Sequence, residues 1–156
     1  MAKSLHVQQS RSYPVPIERA FDVVLSAPLP GIFDRRYALL PPITQVLDQV
    51  GDWGSVGQTR TIGLGDGGTM RERLVTVTPP SEFSYRIDGF TGINKVLFAA
   101  VDGRWAFAPD GDGTRITWTW TVHPTSSLTA LVLPVVGLMW KGYARRALDR
   151  VAALLA

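Results

Sequence analysis

Polar and apolar positions change their period several times along the 156-residue chain. From Leu5 to Tyr13 they alternate with period two and run into Pro14, which lacks a backbone donor and suits the end of an edge strand. After Pro16, a favourable first helical residue, Ile17, Phe21, Val24 and Leu25 fall on one face of a helix over 17–25. Pro28, Pro30 and Gly31 interrupt it, and one more helical turn fits over 33–37 before Pro41-Pro42. Six short strands are then predicted over 43–50, 58–64, 69–78, 82–89, 96–108 and 114–122, separated by Gly, Asp and Pro clusters as in an antiparallel meander. Helical spacing returns over 126–155, where Leu128, Leu131, Val135, Leu138, Tyr143, Leu148, Val151 and Leu155 form the apolar stripe of one long closing helix. Pro134 should kink that helix; two helices joined at Pro134 are the alternative. The chain has no internal repeat and no low-complexity linker, and its length fits a single domain over 1–156.

One hairpin has a register that turn chemistry and charge decide. A three-residue loop, Gly65-Asp66-Gly67, matches a type I turn followed by a left-handed glycine, and it sets Leu64 opposite Gly68, Ile62 opposite Met70 and Arg60 opposite Glu72. A two-residue Asp66-Gly67 turn would shift the register by one and put Arg60 opposite Arg73, a repulsive pair. In the preferred register Arg60 and Glu72 share the apolar face with Ile62, Leu64, Met70 and Leu74. Two charges in a low-dielectric interior must be paired and hydrogen-bonded, and even then often do no better than hydrophobic replacements, so their presence asks for a reason. The following strand turns Phe83, Tyr85 and Ile87 inward and brings Tyr85 opposite Leu74, diagonal to Glu72. The trio Arg60, Glu72 and Tyr85 is a ligand-facing site or a structural ion pair capped by a tyrosine.

The last two strands add an aromatic wall. Leu97, Ala99, Val101, Trp105 and Phe107 share one face, opposed by Ile116, Trp118, Trp120 and Val122, and the Asp110-Gly111-Asp112-Gly113 loop pairs Phe107 with Ile116 and Trp105 with Trp118. Core packing is the ordinary role of such rings, and lining a cavity the alternative.

Composition narrows the chemistry. Zero cysteines exclude disulfides, thiolate nucleophiles and cysteine-ligated metal clusters, and two distant histidines, His6 and His123, make a metal site improbable; no cofactor is expected. The net charge of +3 comes from scattered Lys and Arg, which does not call for nucleic-acid binding. The longest apolar stretch, 128–140, contains Thr129, Pro134 and Gly137 and is too short to span a bilayer. The N-terminus lacks the apolar run of a signal peptide, so a soluble cytoplasmic protein is expected. Gly63 to Gly68 satisfies GxGxxG, but a strand follows it where a dinucleotide site needs a helix. His123 falls on the outward face with Thr117, Thr119 and Thr121, and Ser126 and Ser127 read as helix caps with no GxSxG elbow.

The order of strand, short helices, meander and long C-terminal helix resembles the START-like SRPBCC superfamily, which includes Bet v 1-like proteins and polyketide cyclase/dehydrase relatives. The resemblance is carried by 14–22 entering the first helix, by Trp53-Gly54-Ser55-Val56-Gly57-Gln58-Thr59-Arg60, by Arg71-Glu72-Arg73-Leu74, and by Gly113-Thr114-Arg115-Ile116-Thr117-Trp118. It implies an α+β helix-grip fold: a curved seven-stranded antiparallel sheet around a long C-terminal helix, with two short helices after the first strand. It also implies an apolar cavity for a lipid, polyketide or similar molecule. Plant lachrymatory factor synthases look similar around a cavity Arg and Glu, which match Arg60 and Glu72 here. The leading expectation is a hydrophobic-ligand-binding protein in which Arg60, Glu72 and Tyr85 orient the polar end of the ligand and Trp105, Phe107, Trp118 and Trp120 line the apolar part. Its rival is a cyclase, dehydratase or isomerase with Glu72 as general acid or base and Arg60 stabilising an enolate or alkoxide. A third reading, a protein-interaction module, requires an exposed apolar patch near 131–140. Oligomeric state is left open, a homodimer included.

Overall fold

The computed structural model describes residues 3–37 and 40–156. Strand β1 (Leu5–Tyr13) leads into helix α1 (Ile17–Ser26) and a single turn, α2 (Leu29–Ile32). Strands β2 (Ile43–Leu47), β3 (Thr59–Leu64), β4 (Thr69–Thr78) and β5 (Glu82–Asp88) precede a short helix, α3 (Asn94–Leu97). Two long strands, β6 (Phe98–Asp110) and β7 (Gly113–Pro124), lead to α4 (Ser127–Ala130) and the closing helix α5 (Leu133–Leu155). All seven strands form one antiparallel sheet in the order β1-β7-β6-β5-β4-β3-β2. The meander accounts for every neighbour except β1, which pairs along its whole length with β7, Leu5 opposite Val122 and Tyr13 opposite Thr114.

Helix α5 closes the buried face of the sheet with Leu133, Val136, Trp140, Ala144, Ala147 and Val151. Small residues let it approach: a Cβ on Gly137 would stand 3.3 Å from Leu5 and 3.4 Å from Val7. The Tyr13 hydroxyl donates to the Leu148 carbonyl at 2.7 Å, tying β1 to the far half of the helix. Helix α1 buries Ala20, Phe21 and Val24, and Phe21 meets Phe83 and Phe107 edge-on at 5.8 and 5.3 Å. This is the α+β helix-grip arrangement that the family resemblance implies.

Several boundaries differ from the sequence expectation for local reasons. The helical turn expected over 33–37 lies earlier, at Leu29–Ile32, because Pro30 falls in its first turn, where a fixed φ and a missing donor cost nothing, while Phe33 leaves helical geometry. Strand β2 stops at Leu47 because Asp48 takes a left-handed φ of 58°. Val96 and Leu97, expected in a strand, form α3, and a bulge between Phe98 and Ala100 shifts the inward face. Ala99 is therefore exposed and Leu97 only partly buried, while Phe98, Ala100 and Val101 take the interior.

The larger difference is at the start of the closing helix. Leu128, Leu131, Val135 and Leu138, expected to face the core, are 76, 75, 58 and 70% exposed. Pro134 sits in the first turn of α5 rather than kinking its interior, and α4 is a separate turn capped by a reciprocal Ser126–Thr129 box. Because 131–140 is apolar nearly all round, periodicity alone does not choose between two stripes; Gly137 and Trp140 fit the sheet and select the other one.

Candidate functional site

The β3–β4 hairpin adopts the three-residue loop, with Gly67 at a φ of 89° and the Leu64 N–H donating to the Gly68 carbonyl at 2.9 Å. Arg60 therefore lies opposite Glu72 and Ile62 opposite Met70, with both charged side chains on the buried face, 6 and 5% exposed. Arg60 Nε donates to Glu72 Oε1 at 2.7 Å. The guanidinium also lies 3.9 Å from the centre of the Trp53 ring, whose π face favours a cation, and Nη1 reaches Gln49 Oε1 at 3.5 Å. Trp53 is held in a loop organised by Gln58, whose Oε1 accepts from the N–H groups of Gly54 and Ser55 and whose Nε2 donates to the carbonyls of Val50 and Asp52. Burial pushes the Glu72 carboxyl above its ordinary range, against the charge and hydrogen bond of Arg60, which pull it down.

Tyr85 pairs with Leu74, and its ring lies across Gly103 of β6, where an added Cβ would stand 2.0 Å from Cζ. Its hydroxyl oxygen accepts from Trp118 Nε1 at 2.8 Å and from Trp120 Nε1 at 2.9 Å. Those two bonds use both lone pairs, so the remaining capacity of Tyr85 is to donate. Burial, reinforced by the nearby Glu72 charge, raises its phenol far above the usual value, so the proton stays on. Trp105 stacks on Trp118 at 5.0 Å, as the predicted cross-strand pair, and Trp140 of α5 closes against Trp118 and Trp120 at 5.0 and 5.7 Å.

Arg60, Glu72, Tyr85, Trp105, Trp118 and Trp120 line one cavity of about 60 Å³, together with Phe33, Trp53, Met70, Ile87 and Tyr143. Phe107 lies off that wall, packed between Phe21 and Phe83. A second cavity of about 50 Å³, bordered by Leu64, Phe90, Asn94, Phe98 and Val101, shares Met70, Ile87, Trp120 and Tyr143 with the first. At roughly 10–15 Å³ per water, each chamber has room for a handful of waters, whereas drug-sized ligands occupy sites of roughly 300 Å³ or more. A larger molecule fits only if the dividing side chains swing aside, and Met70 is the most adaptable of them.

Sequence reasoning missed Trp53, Phe33 and Tyr143. Trp53 lies in an irregular loop with no period to read, and the other two reach the cavity from the helical layer. His123 stands on the outward face of the sheet but is half-buried: Nε2 meets Asp102 at 2.7 Å and Nδ1 meets Ser4 Oγ at 2.9 Å, while Arg86 holds the same Asp102. Among the described residues no group of three His, Cys, Asp or Glu side chains could hold a metal ion, and no helix is long and apolar enough to cross a membrane.

A seven-stranded sheet gripping a C-terminal helix around an apolar chamber defines a class of small-molecule-binding folds. The sequence profile of one family in that class, polyketide cyclase/dehydrase and lipid transport, matches residues 4–156, and the chain belongs to that family, within the START-like superfamily. No curated protein matches the chain. Solved structures with the same fold include Ara h 8.0201, at 17% identity and a TM-score of 0.70, covering 98% of this chain and 99% of that one. Ginseng major latex-like protein 151 from Panax ginseng superposes with a TM-score of 0.69 at 12% identity, covering 96% of each chain. Protein Ms6760 from Mycobacterium smegmatis does so with 0.65 at 18% identity, covering 97% of this chain and 91% of that one.

Proposed function

We propose that the protein binds a hydrophobic small molecule bearing an oxygen acceptor, its apolar part between sheet and α5 and its oxygen at the Tyr85 hydroxyl and the Arg60 guanidinium. The observation that carries this reading is a buried Arg60–Glu72 pair beside a tyrosine whose hydroxyl can only donate, all three on the wall of an apolar chamber. Such polar groups in an apolar pocket fix the orientation of a ligand and give it specificity. Family membership supports binding of this general kind. A second reading, a cyclase- or dehydratase-like enzyme, is favoured by the raised pKa of Glu72, which suits an acid–base group working nearer neutral pH.

Native mass spectrometry of freshly purified protein, followed by denaturing extraction, tests the binding reading. A stoichiometric hydrophobic passenger is expected. A protein that carries none and also fails to bind 1-anilinonaphthalene-8-sulfonate would overturn it and leave Arg60–Glu72 as a structural pair. The passenger then separates the two readings: in a carrier Glu72→Gln retains near wild-type affinity, whereas in an enzyme it retains affinity but abolishes conversion of that molecule.

A further inference from the structure

The surface least like that of an isolated globular domain runs along α4 and the first turns of α5, with the end of α3 tied to the segment that enters α4. Of the twelve large hydrophobic side chains exposed among the described residues, seven lie in the segments 93–96 and 128–138. Ile93 and Val96 are 72 and 64% exposed, in addition to Leu128, Leu131, Val135 and Leu138. The segments are pinned together by Thr125, whose N–H donates to the Leu97 carbonyl at 3.4 Å and whose hydroxyl donates to the Val96 carbonyl. Clustered exposed side chains of this size mark an interaction surface.

Charge identifies the occupant. From Gly89 to Val101 the one charged residue is Lys95, and from Gly113 to Leu148 the charged residues are Arg115, Lys141, Arg145 and Arg146, with no acid in either stretch. The outward stripe of α5 runs from Val135 and Leu138 directly into exposed Lys141 and Arg145. A second copy docked on this face would set lysines against lysines. An anionic bilayer satisfies both features, taking apolar tips among its acyl chains and cations at its headgroups. The second cavity is bordered by Phe90, Asn94 and Phe98, at the same α3 edge.

We infer that this face docks on anionic lipid membranes, with Leu128, Leu131, Val135 and Leu138 inserted and Lys95, Lys141 and Arg145 at the headgroups. Docking brings the α3 edge of the second cavity to the bilayer, a route for apolar cargo; that consequence, unlike the docking itself, rests on the proposed ligand-binding role.

Co-sedimentation of the full chain with phosphatidylcholine vesicles, with and without phosphatidylglycerol, tests the inference. Binding is expected with phosphatidylglycerol and should weaken with added salt. Lys95→Gln and Lys141→Gln should each weaken it about fivefold, and Leu131→Ser and Leu138→Ser about tenfold each. No sedimentation with anionic vesicles would overturn the inference, as would binding indifferent to the leucine substitutions. Concentration-dependent self-association in light scattering that Leu138→Ser abolishes, without vesicle binding, would overturn it by making the patch an interface between proteins. Uptake of 1-anilinonaphthalene-8-sulfonate from solution, measured on the same variants, keeps the two proposals apart. Leucine variants that lose vesicles but retain the dye locate the effect at the docking surface, and a wild-type protein that binds vesicles but neither dye nor a co-purifying passenger upholds docking while overturning the cavity reading.

Discussion

The β3–β4 hairpin carries an arginine and a glutamate into the interior, whereas the α4–α5 junction holds four leucines and valines of its outward stripe in solvent. Both invert the usual sorting of side chains, but for reasons of different range. In the hairpin the inversion is local: a left-handed Gly67 sets the register, and the register sends Arg60 and Glu72 to the same side as Ile62 and Met70. At the junction it is tertiary: the segment is apolar on nearly every side, and contact of Gly137 with β1 and of Trp140 with Trp118 decides which side is spent on the core. A charge inside is thus legible from turn chemistry, while a leucine outside becomes legible only once the packing partner is known.

The largest effect is expected from breaking the hairpin pair unevenly. Arg60→Ala leaves a buried carboxylate without its partner and should cost about 3–5 kcal/mol, read from denaturant unfolding. Replacing both residues with apolar ones of similar size, Arg60→Met with Glu72→Leu, should leave stability unchanged or raise it by about 1–4 kcal/mol, while removing the polar end of the chamber. If the double variant is as unstable as Arg60→Ala, the pair holds the fold rather than a ligand. The junction gives a paired test of smaller size. Leu133→Ala, on the stripe against the sheet, should cost about 2–5 kcal/mol, and Leu138→Ala, five residues along on the outward stripe, should stay within about 0.5 kcal/mol. Equal losses at the two positions would mean that the helix presents a different face to the sheet.

The same contrast explains what the sequence made legible. Strand alternation, the end of β1 at Pro14 and the antiparallel hairpins are readable because each depends on neighbours within a few residues, and β1 and β4 end where the pattern ends, whereas Pro30 and Pro134 fall inside helical first turns that the pattern does not show. Arg60, Glu72 and Tyr85 were brought together by two hairpin registers, and the structure reproduces both. The Tyr85 hydroxyl as acceptor of two indole N–H groups was not readable, since it depends on the ring lying flat over Gly103 so that Trp118 and Trp120 reach it from β7. Nor was the division of the interior into two small chambers, since the side chains that border both, Met70, Ile87, Trp120 and Tyr143, come from β4, β5, β7 and α5 and meet only in the folded protein.

The smallest effect is a slope, and its sign discriminates most sharply. With burial dominating, the Glu72 carboxyl titrates higher in the folded protein than its ordinary value of 4.5 in the unfolded chain. The folded state then binds more protons than the unfolded state as pH rises above that value, and stability falls with rising pH until Glu72 is ionised in both states. The contribution is fully present below pH 4.5 and lost as pH passes through the raised folded value. Glu72→Gln removes the titration, so the difference in unfolding free energy between wild type and variant should shift in favour of the variant across that window and level off above it. Denaturant unfolding of both proteins at a series of pH values measures the difference directly and cancels every other titrating group. A difference that moves in the opposite direction would mean that Arg60 stabilises the carboxylate more than burial penalises it, making Glu72 a permanent counter-ion at neutral pH and a poor proton donor for any ligand in the chamber.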